Sequence, residues 1–544
     1  MAEFTGSGGA IAVEVVKRYG TDVVFTLSGA HVFPVYDACA KGDGVALVDT
    51  RHEQTATFAA EGYAKLTRRP GVAALTAGPG VTNGVSAVTS AMFNGSPLVV
   101  LGGRAGQARW GAGSLQELDH VPIMAPVTKR ATTARSTDSV AAEVDATVQA
   151  ALAPHRGPAF CDLPLDVVFG HATVELGEPA SPPRLEPDPD DVTAVARLLA
   201  RSERPVFVAG SGVWFEAAWD RMRDLLGEAH VPAFSNGLGR GTIAADDPLA
   251  FSRARSVALR EADLVVVAGT PLDFRLGFGN FGGADVVHLV DHPDCVAGHV
   301  DLAAKAAGDL GLVFEGVAAA YASVPGERHD HRRWVEHLRD VESAKRRDER
   351  ALLESAATPV HPARVYGELL PRLDRDAVVI GDGGDFVSYA GKFVDSYQPG
   401  CWLDPGPFGC LGTGPGYAMA ARHVHPDRQV VLLSGDGGFG FSGLDLDTLV
   451  RYDLPVVVIV GNNGIWGLEK HPMQAMYGYD VACDLRQDTR YDLVMEALGG
   501  HGELVSDPAE LGPALDRAFA SGVASVVNVL TDPGDAYPRS SSLA

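Results

Sequence analysis

Short apolar runs of about four to eight residues alternate along the chain with longer stretches whose apolar positions recur every three or four residues. In the first third the runs are VVFTLSG, VALVD, GVAALTAG, PLVVLGG and AFCDLP; in the middle third, RPVFVAGSG, DLVVVAGT and VVHLVD. In the last third they are DAVVIGDGG, QVVLLSGDGG, LPVVVIVGNN and ASVVNVL. Their length and β-branched content suit strands buried on both faces. Strands alternating with helical segments predict an α/β protein of three doubly wound parallel-sheet domains. Ligands in such folds sit beyond the carboxyl ends of the strands. Several runs end there in glycine-rich turns, so those turns are where chemistry is expected.

Two breaks interrupt the rhythm. Residues 175–191, ELGEPASPPRLEPDPDD, are rich in proline and acid and read as an extended linker. Residues 329–350, HDHRRWVEHLRDVESAKRRDER, read as an exposed, charged helical connector. Domains of 1–175, 190–330 and 355–544 follow, and 544 residues is a length for about three domains. Lys and Arg number 45 against 69 Asp and Glu, a net charge of −24. Such a chain repels polyphosphate backbones, so no nucleic acid partner is expected. The six cysteines are scattered without a CxxC pair, no basic–apolar leader opens the sequence, and no apolar stretch reaches ~18 residues. These features predict a cytoplasmic protein with reduced thiols and no membrane contact.

The richest segment is GDGGFGFSGLDLDTLVRYDLPVVVIVGNN. Asp436, Gly437 and Gly438 follow one predicted strand, and Asn463 ends the next. If the strands are neighbours, the Asp436 carboxylate, the Asn463 amide oxygen and the Ile465 carbonyl form a hard oxygen set suited to Mg²⁺. Gly437 and Gly438 have no side chains to block phosphate oxygens from their amides.

This segment resembles the thiamine diphosphate signature of the acetolactate synthase–pyruvate decarboxylase–benzaldehyde lyase superfamily, and the resemblance covers nearly the whole chain. It implies a pyrimidine-binding first domain, a central domain that is structural or holds a nucleotide, and a diphosphate-binding third domain. RHEQTATFAAEGYAKLT resembles the stretch that carries the family's activating glutamate, which puts Glu53 in that role. A carboxyl on a pyrimidine ring nitrogen would favour the tautomer that takes the thiazolium proton. PGPFGCLGTGPGYAMAA resembles the stretch holding the coenzyme in a V, with Leu411 as wedge and the Gly409 carbonyl on the pyrimidine amino group. GDGGDFV places Gly384, Asp385 and Phe386 beside the diphosphate. The resemblance further implies a homodimer or homotetramer with active sites at the subunit interface.

Smaller features bear on the reaction. LSGAHVFPVYDA resembles the substrate-facing loop of benzaldehyde lyase and nominates His31; GSLQELDH nominates Gln116. Both suit handling of a hydroxyl proton. FSRARSVALREADLVVVAGTPLDFRLGFG resembles the central domain of oxalyl-CoA decarboxylases and 2-hydroxyacyl-CoA lyases. By that resemblance Arg255 would contact coenzyme A phosphates, and Arg156, Gly210, Ser211, Arg275 and Asp291 would form an ADP site. The expected activity is a thiamine diphosphate- and Mg²⁺-dependent 2-hydroxyacyl-CoA lyase. It would cleave an acyl-CoA substrate, possible branched ones such as 2-hydroxyisobutyryl-CoA included, to formyl-CoA and an aldehyde or ketone. Oxalyl-CoA decarboxylase and a benzaldehyde lyase-type carboligase are the alternatives. Acetolactate synthase ranks lowest, because that sub-family uses FAD and a different central pattern. The polar tail from Asp532 is expected to fold over bound coenzyme A.

Overall fold

The computed structural model describes residues 2–326 and 328–538. Three parallel sheets form, each covered by helices. The first runs Ala46–Asp49, Val23–Thr26, Gly71–Leu75, Leu98–Arg104, Ala159–Pro164, Ala131–Thr133. The second runs Ala233–Ser235, Pro205–Ala209, Leu264–Ala268, Asp285–Val290, Ala304–Ala307. The third runs Trp402–Leu403, Val378–Asp382, Val430–Gly435, Val457–Asn462, Ser525–Leu530, His501–Val505. An antiparallel ribbon pairs Ala2–Ser7 with His171–Leu176. In the third sheet Leu433 pairs with Ile459 and Gly435 with Gly461. The strands that end in GDG and GNN are therefore adjacent and in register, which places Asp436 and Asn463 at one edge.

The first and third domains share a core. Helix Glu53–Thr67 crosses helix Gly414–Val424, and Phe58, Ala59, Ala60, Tyr63, Tyr417, Ala418 and Ala421 pack in one cluster. The small residues of AAEGYA and GPGYAMAA have a steric cause. A Cβ at Gly416 would stand 2.8 Å from the Ala59 nitrogen, and one at Gly62 would stand 3.0 Å from the Tyr417 Cα. Polar groups are locked into the same contact. Lys65 and Glu61 are buried and paired at 3.2 Å. The Tyr417 hydroxyl donates to Glu61 (2.8 Å), and Lys65 donates to the Asp404 carbonyl (2.9 Å).

The middle domain keeps its own core, built on Val206, Phe207, Val208, Val265, Val267 and Phe314. The charged connector is helical over Arg332–Leu353, but it is not exposed all round. Trp334, Val335 and Leu338 enter that core, and buried Glu342 accepts the Ser252 and Ala254 amides at 3.2 and 2.9 Å. Among the described residues no helix is long and apolar enough to cross a membrane.

His425 caps helix Gly414–Val424. Burial, reinforced by Arg428, pulls its imidazole down to about 4. An imidazole neutral when folded but charged when unfolded gives its full stabilisation above the unfolded value of about 6.5 and loses it as pH falls toward the folded one. The thermal midpoint of the wild type should therefore drop more steeply from pH 6.5 to 4 than that of His425→Gln.

Candidate active site

One cleft of about 170 Å³ opens beyond the carboxyl ends of the third sheet. Its walls include Asp436, Gly437, Gly438, Asn463 and Ile465 from the two adjacent strand ends. Gly384, Asp385 and Phe386 line it from the next turn, and Gly409 and Leu411 from the loop before helix Gly414–Val424. All ten third-domain residues nominated from sequence thus meet at one place. Asp436 is buried and its Oδ2 accepts the Gly464 amide at 2.8 Å. Burial pushes its carboxyl up to about 6 against the hydrogen bonds of Gly464 and Gly437. Asn463 Oδ1 accepts the Ile465 amide at 3.1 Å, which fixes the turn that places Ile465 on the cleft wall.

Asp385 does not turn a bare side chain to the cleft: its Oδ2 accepts the Tyr537 amide at 2.9 Å. Tyr537 stands edge-on to Tyr389, with ring centroids 4.9 Å apart. The start of the C-terminal tail is thus already docked on the third domain, whereas 539–544, part of the segment expected to cover a ligand, lie outside the described residues. Asp382 is a residue the sequence reading passed over. It is buried and accepts the Gly412 and Gly414 amides, both at 2.9 Å, so it anchors the loop that carries Gly409 and Leu411.

A second cluster of nominated residues belongs to the first domain. Glu53 opens helix Glu53–Thr67 and is buried; its Oε2 accepts a hydrogen bond from Asn83 at 3.0 Å. A Cβ at Gly80 would stand 3.7 Å from Glu53 Oε1. His31 is buried and shares a hydrogen bond with Thr76 (3.1 Å); burial, then the nearby His120, pull its imidazole below the usual range. Gln116 adopts a left-handed backbone, φ +59°, directly beneath Gly78, whose own φ is +61°. Buried His120 accepts the Gly78 amide at 2.9 Å on Nε2 and donates from Nδ1 to buried Asp162 at 2.8 Å. That relay sets the Gly78–Gly80 turn between Glu53 and Gln116. Neither His120 nor Asp162 was nominated from sequence; Asp162 stands within strand Ala159–Pro164. Glu53, His31 and Gln116 do not line the third-domain cleft of the same chain, although Gln54 reaches the Leu411 carbonyl at 3.5 Å.

Each of the middle-domain residues nominated from sequence has partners within the chain. Arg275 forms a fork with Asp273, its closest contact 2.7 Å. Arg156 pairs with Glu216 at 3.4 Å and donates to the Arg68 carbonyl at 3.1 Å. Asp291 accepts from His155 Nδ1 at 2.8 Å. Burial opposes charge on that imidazole, but the hydrogen bonds of Asp291 and Cys295 overcome it and lift the ring to about 10. Ser211 Oγ accepts the Leu238 amide at 3.1 Å, and at Gly210 a Cβ would stand 2.3 Å from Thr270. Arg255 lines a different cleft, of about 320 Å³, beside Arg240.

Comparison with known proteins completes the site. "Thiamine pyrophosphate enzyme, N-terminal TPP binding domain" matches residues 6–123, the central domain of the same family matches 192–317, and its C-terminal TPP binding domain matches 382–529. An acetolactate synthase large subunit of Mycobacterium tuberculosis is 53% identical over 99% of this chain and 98% of its own length. A 2-hydroxyacyl-CoA lyase 2 of Homo sapiens is 34% identical over 92% of this chain and 85% of its own, and one of Danio rerio 32% over 96% and 91%. These findings overturn the expected 2-hydroxyacyl-CoA lyase activity and reverse the ranking that put acetolactate synthase last, while a thiamine diphosphate-dependent enzyme is borne out. In the central domain Arg156, Arg275 and Asp291, read as grips for ADP, each hold a partner within the chain.

Proposed function

Because the chain belongs to the thiamine pyrophosphate enzyme family, we propose that this thiamine diphosphate-dependent enzyme is a carboligase of the acetolactate synthase type. The product so named contains the carbon of two pyruvates less one carbon dioxide. The substrate class is therefore short 2-oxo acids. The observation that carries this reading is the 53% identity across essentially both full lengths.

The residues fit the coenzyme. Asp436, Asn463 and the Ile465 carbonyl are the hard-oxygen set for Mg²⁺, and Gly437 and Gly438 leave their amides clear for a diphosphate. When bound, the coenzyme supplies a nucleophilic carbon that adds to a carbonyl and stabilises the charge left by decarboxylation. The chain's part is to orient and to move protons. Glu53, held by Asn83, offers a carboxyl to a ring nitrogen; Leu411 offers apolar bulk; His31 and Gln116 offer polar contacts to a hydroxyl or carboxylate.

The active form in this reading is a dimer or a larger even oligomer, with the Glu53 pocket of one subunit facing the Asp436 cleft of another. Exposed apolar side chains support it: Phe93 and Phe408 stack at 5.1 Å, and Phe441 and Leu444 are each more than half exposed. The test is to supply pyruvate to the purified enzyme with thiamine diphosphate and Mg²⁺. Acetolactate and carbon dioxide in equal amounts are expected. Pyruvate left unconsumed, or consumed without acetolactate, overturns the assignment.

A further inference from the structure

At the seam between the first and middle domains three ligand-type side chains converge. His155 follows helix Val140–Leu152, Asp291 follows strand Asp285–Val290, and Cys295 closes the short turn Pro293–Cys295. One ligand atom from each lies within 4.8 Å of the others. His155 Nδ1 is 3.0 and 2.8 Å from the two Asp291 oxygens. Among the described residues no other three His, Cys, Asp or Glu side chains meet in this way.

We infer that His155, Asp291 and Cys295 form a site for a divalent transition metal of the zinc class, joining the N-terminal domain to the middle one. A nitrogen, oxygen and sulfur set suits Zn²⁺ or Co²⁺, whereas Mg²⁺ takes oxygen alone. In a tetrahedral zinc site the bond lengths put ligand atoms roughly 3.3–3.8 Å apart, so modest side-chain rotations close this set on an ion. On binding, the His155 ring and the Cys295 thiol each release a proton, and the resulting neutral imidazole, carboxylate and thiolate balance the dication. The nearby cations have partners of their own: Lys129 donates to the Ala153 carbonyl at 2.6 Å, and Arg156 is held by Glu216. Gly95 backs the ring, since a Cβ there would stand 2.7 Å from His155 Nε2, which leaves Nδ1 to the cluster. The set draws on both domains, so a bound ion would tie down their relative placement without touching the Asp436 cleft.

The test uses the full-length protein, stripped by chelator, kept reduced and titrated with Co²⁺. A thiolate-to-cobalt charge-transfer band saturating at one equivalent per chain is expected, absent in Cys295→Ser and about ten-fold or more weaker in affinity in Asp291→Asn. The oxygen ligands of the Mg²⁺ cleft give no such band, so the result is independent of the coenzyme reading. Zn²⁺ should also raise the thermal midpoint of the wild type and leave that of Cys295→Ser unchanged. No band at saturating Co²⁺, or the same band in a folded Cys295→Ser, overturns the inference.

Discussion

Replacing Glu53 by Gln is expected to lower turnover by about 10²–10⁴-fold, the range for removing a positioned proton-transfer group. Gln keeps the size of the side chain and its contact with Asn83, so the fold should hold and coenzyme affinity should change far less than kcat. The same variant tests how the site is shared. Glu53→Gln and Asp436→Ala damage different pockets. If the pockets meet across subunits, a dimer containing one of each has one site with both groups intact. Random pairing then restores about one quarter of wild-type activity, by the statistics of a two-fold dimer. If each chain completes its own site, mixing restores nothing. Steady-state kinetics on co-expressed variants separates the two outcomes.

The largest effect on stability is expected at Glu61. Its carboxylate is buried and accepts from Tyr417, from Asn94 (2.8 Å) and from Ser96 (3.3 Å), while pairing with buried Lys65. Glu61→Ala leaves an ammonium without a counter-charge in an apolar setting, which costs about 3–5 kcal/mol. Burying the pair does not make it strongly stabilising in itself, because both charges had to leave water. The double variant Glu61→Ala/Lys65→Met should therefore recover most of the loss. Urea midpoints at fixed protein concentration measure both. A Glu61→Ala midpoint equal to the wild type would show that Lys65 finds another partner.

The alternation of β-branched runs with helical segments was enough to read three parallel sheets, because strands buried on both faces have little freedom in composition. The Asp436–Asn463 set was legible for a related reason: adjacent strand ends in one βαβ unit bring their following residues together. His120 and Asp162 were not legible. They stand 42 residues apart on a loop and a strand, and only the folded sheet makes them neighbours. Asp382 lay in plain view in VIGDGG, but nothing local says that its carboxylate will collect two amides from another loop. In the central domain Arg275, placed in an ADP site by resemblance, has a counter-charge two positions earlier in Asp273, and the structure joins them.

The contact between helices Glu53–Thr67 and Gly414–Val424 also sets a problem for synthesis. Glu61 and Tyr417 are 356 positions apart in the chain. At roughly 5–20 residues per second a ribosome needs about 20–70 s to make the second after the first. Through that interval the glycine- and alanine-lined strip of the nascent N-terminal lobe, and the acid and ammonium beside it, must wait uncovered in the cell.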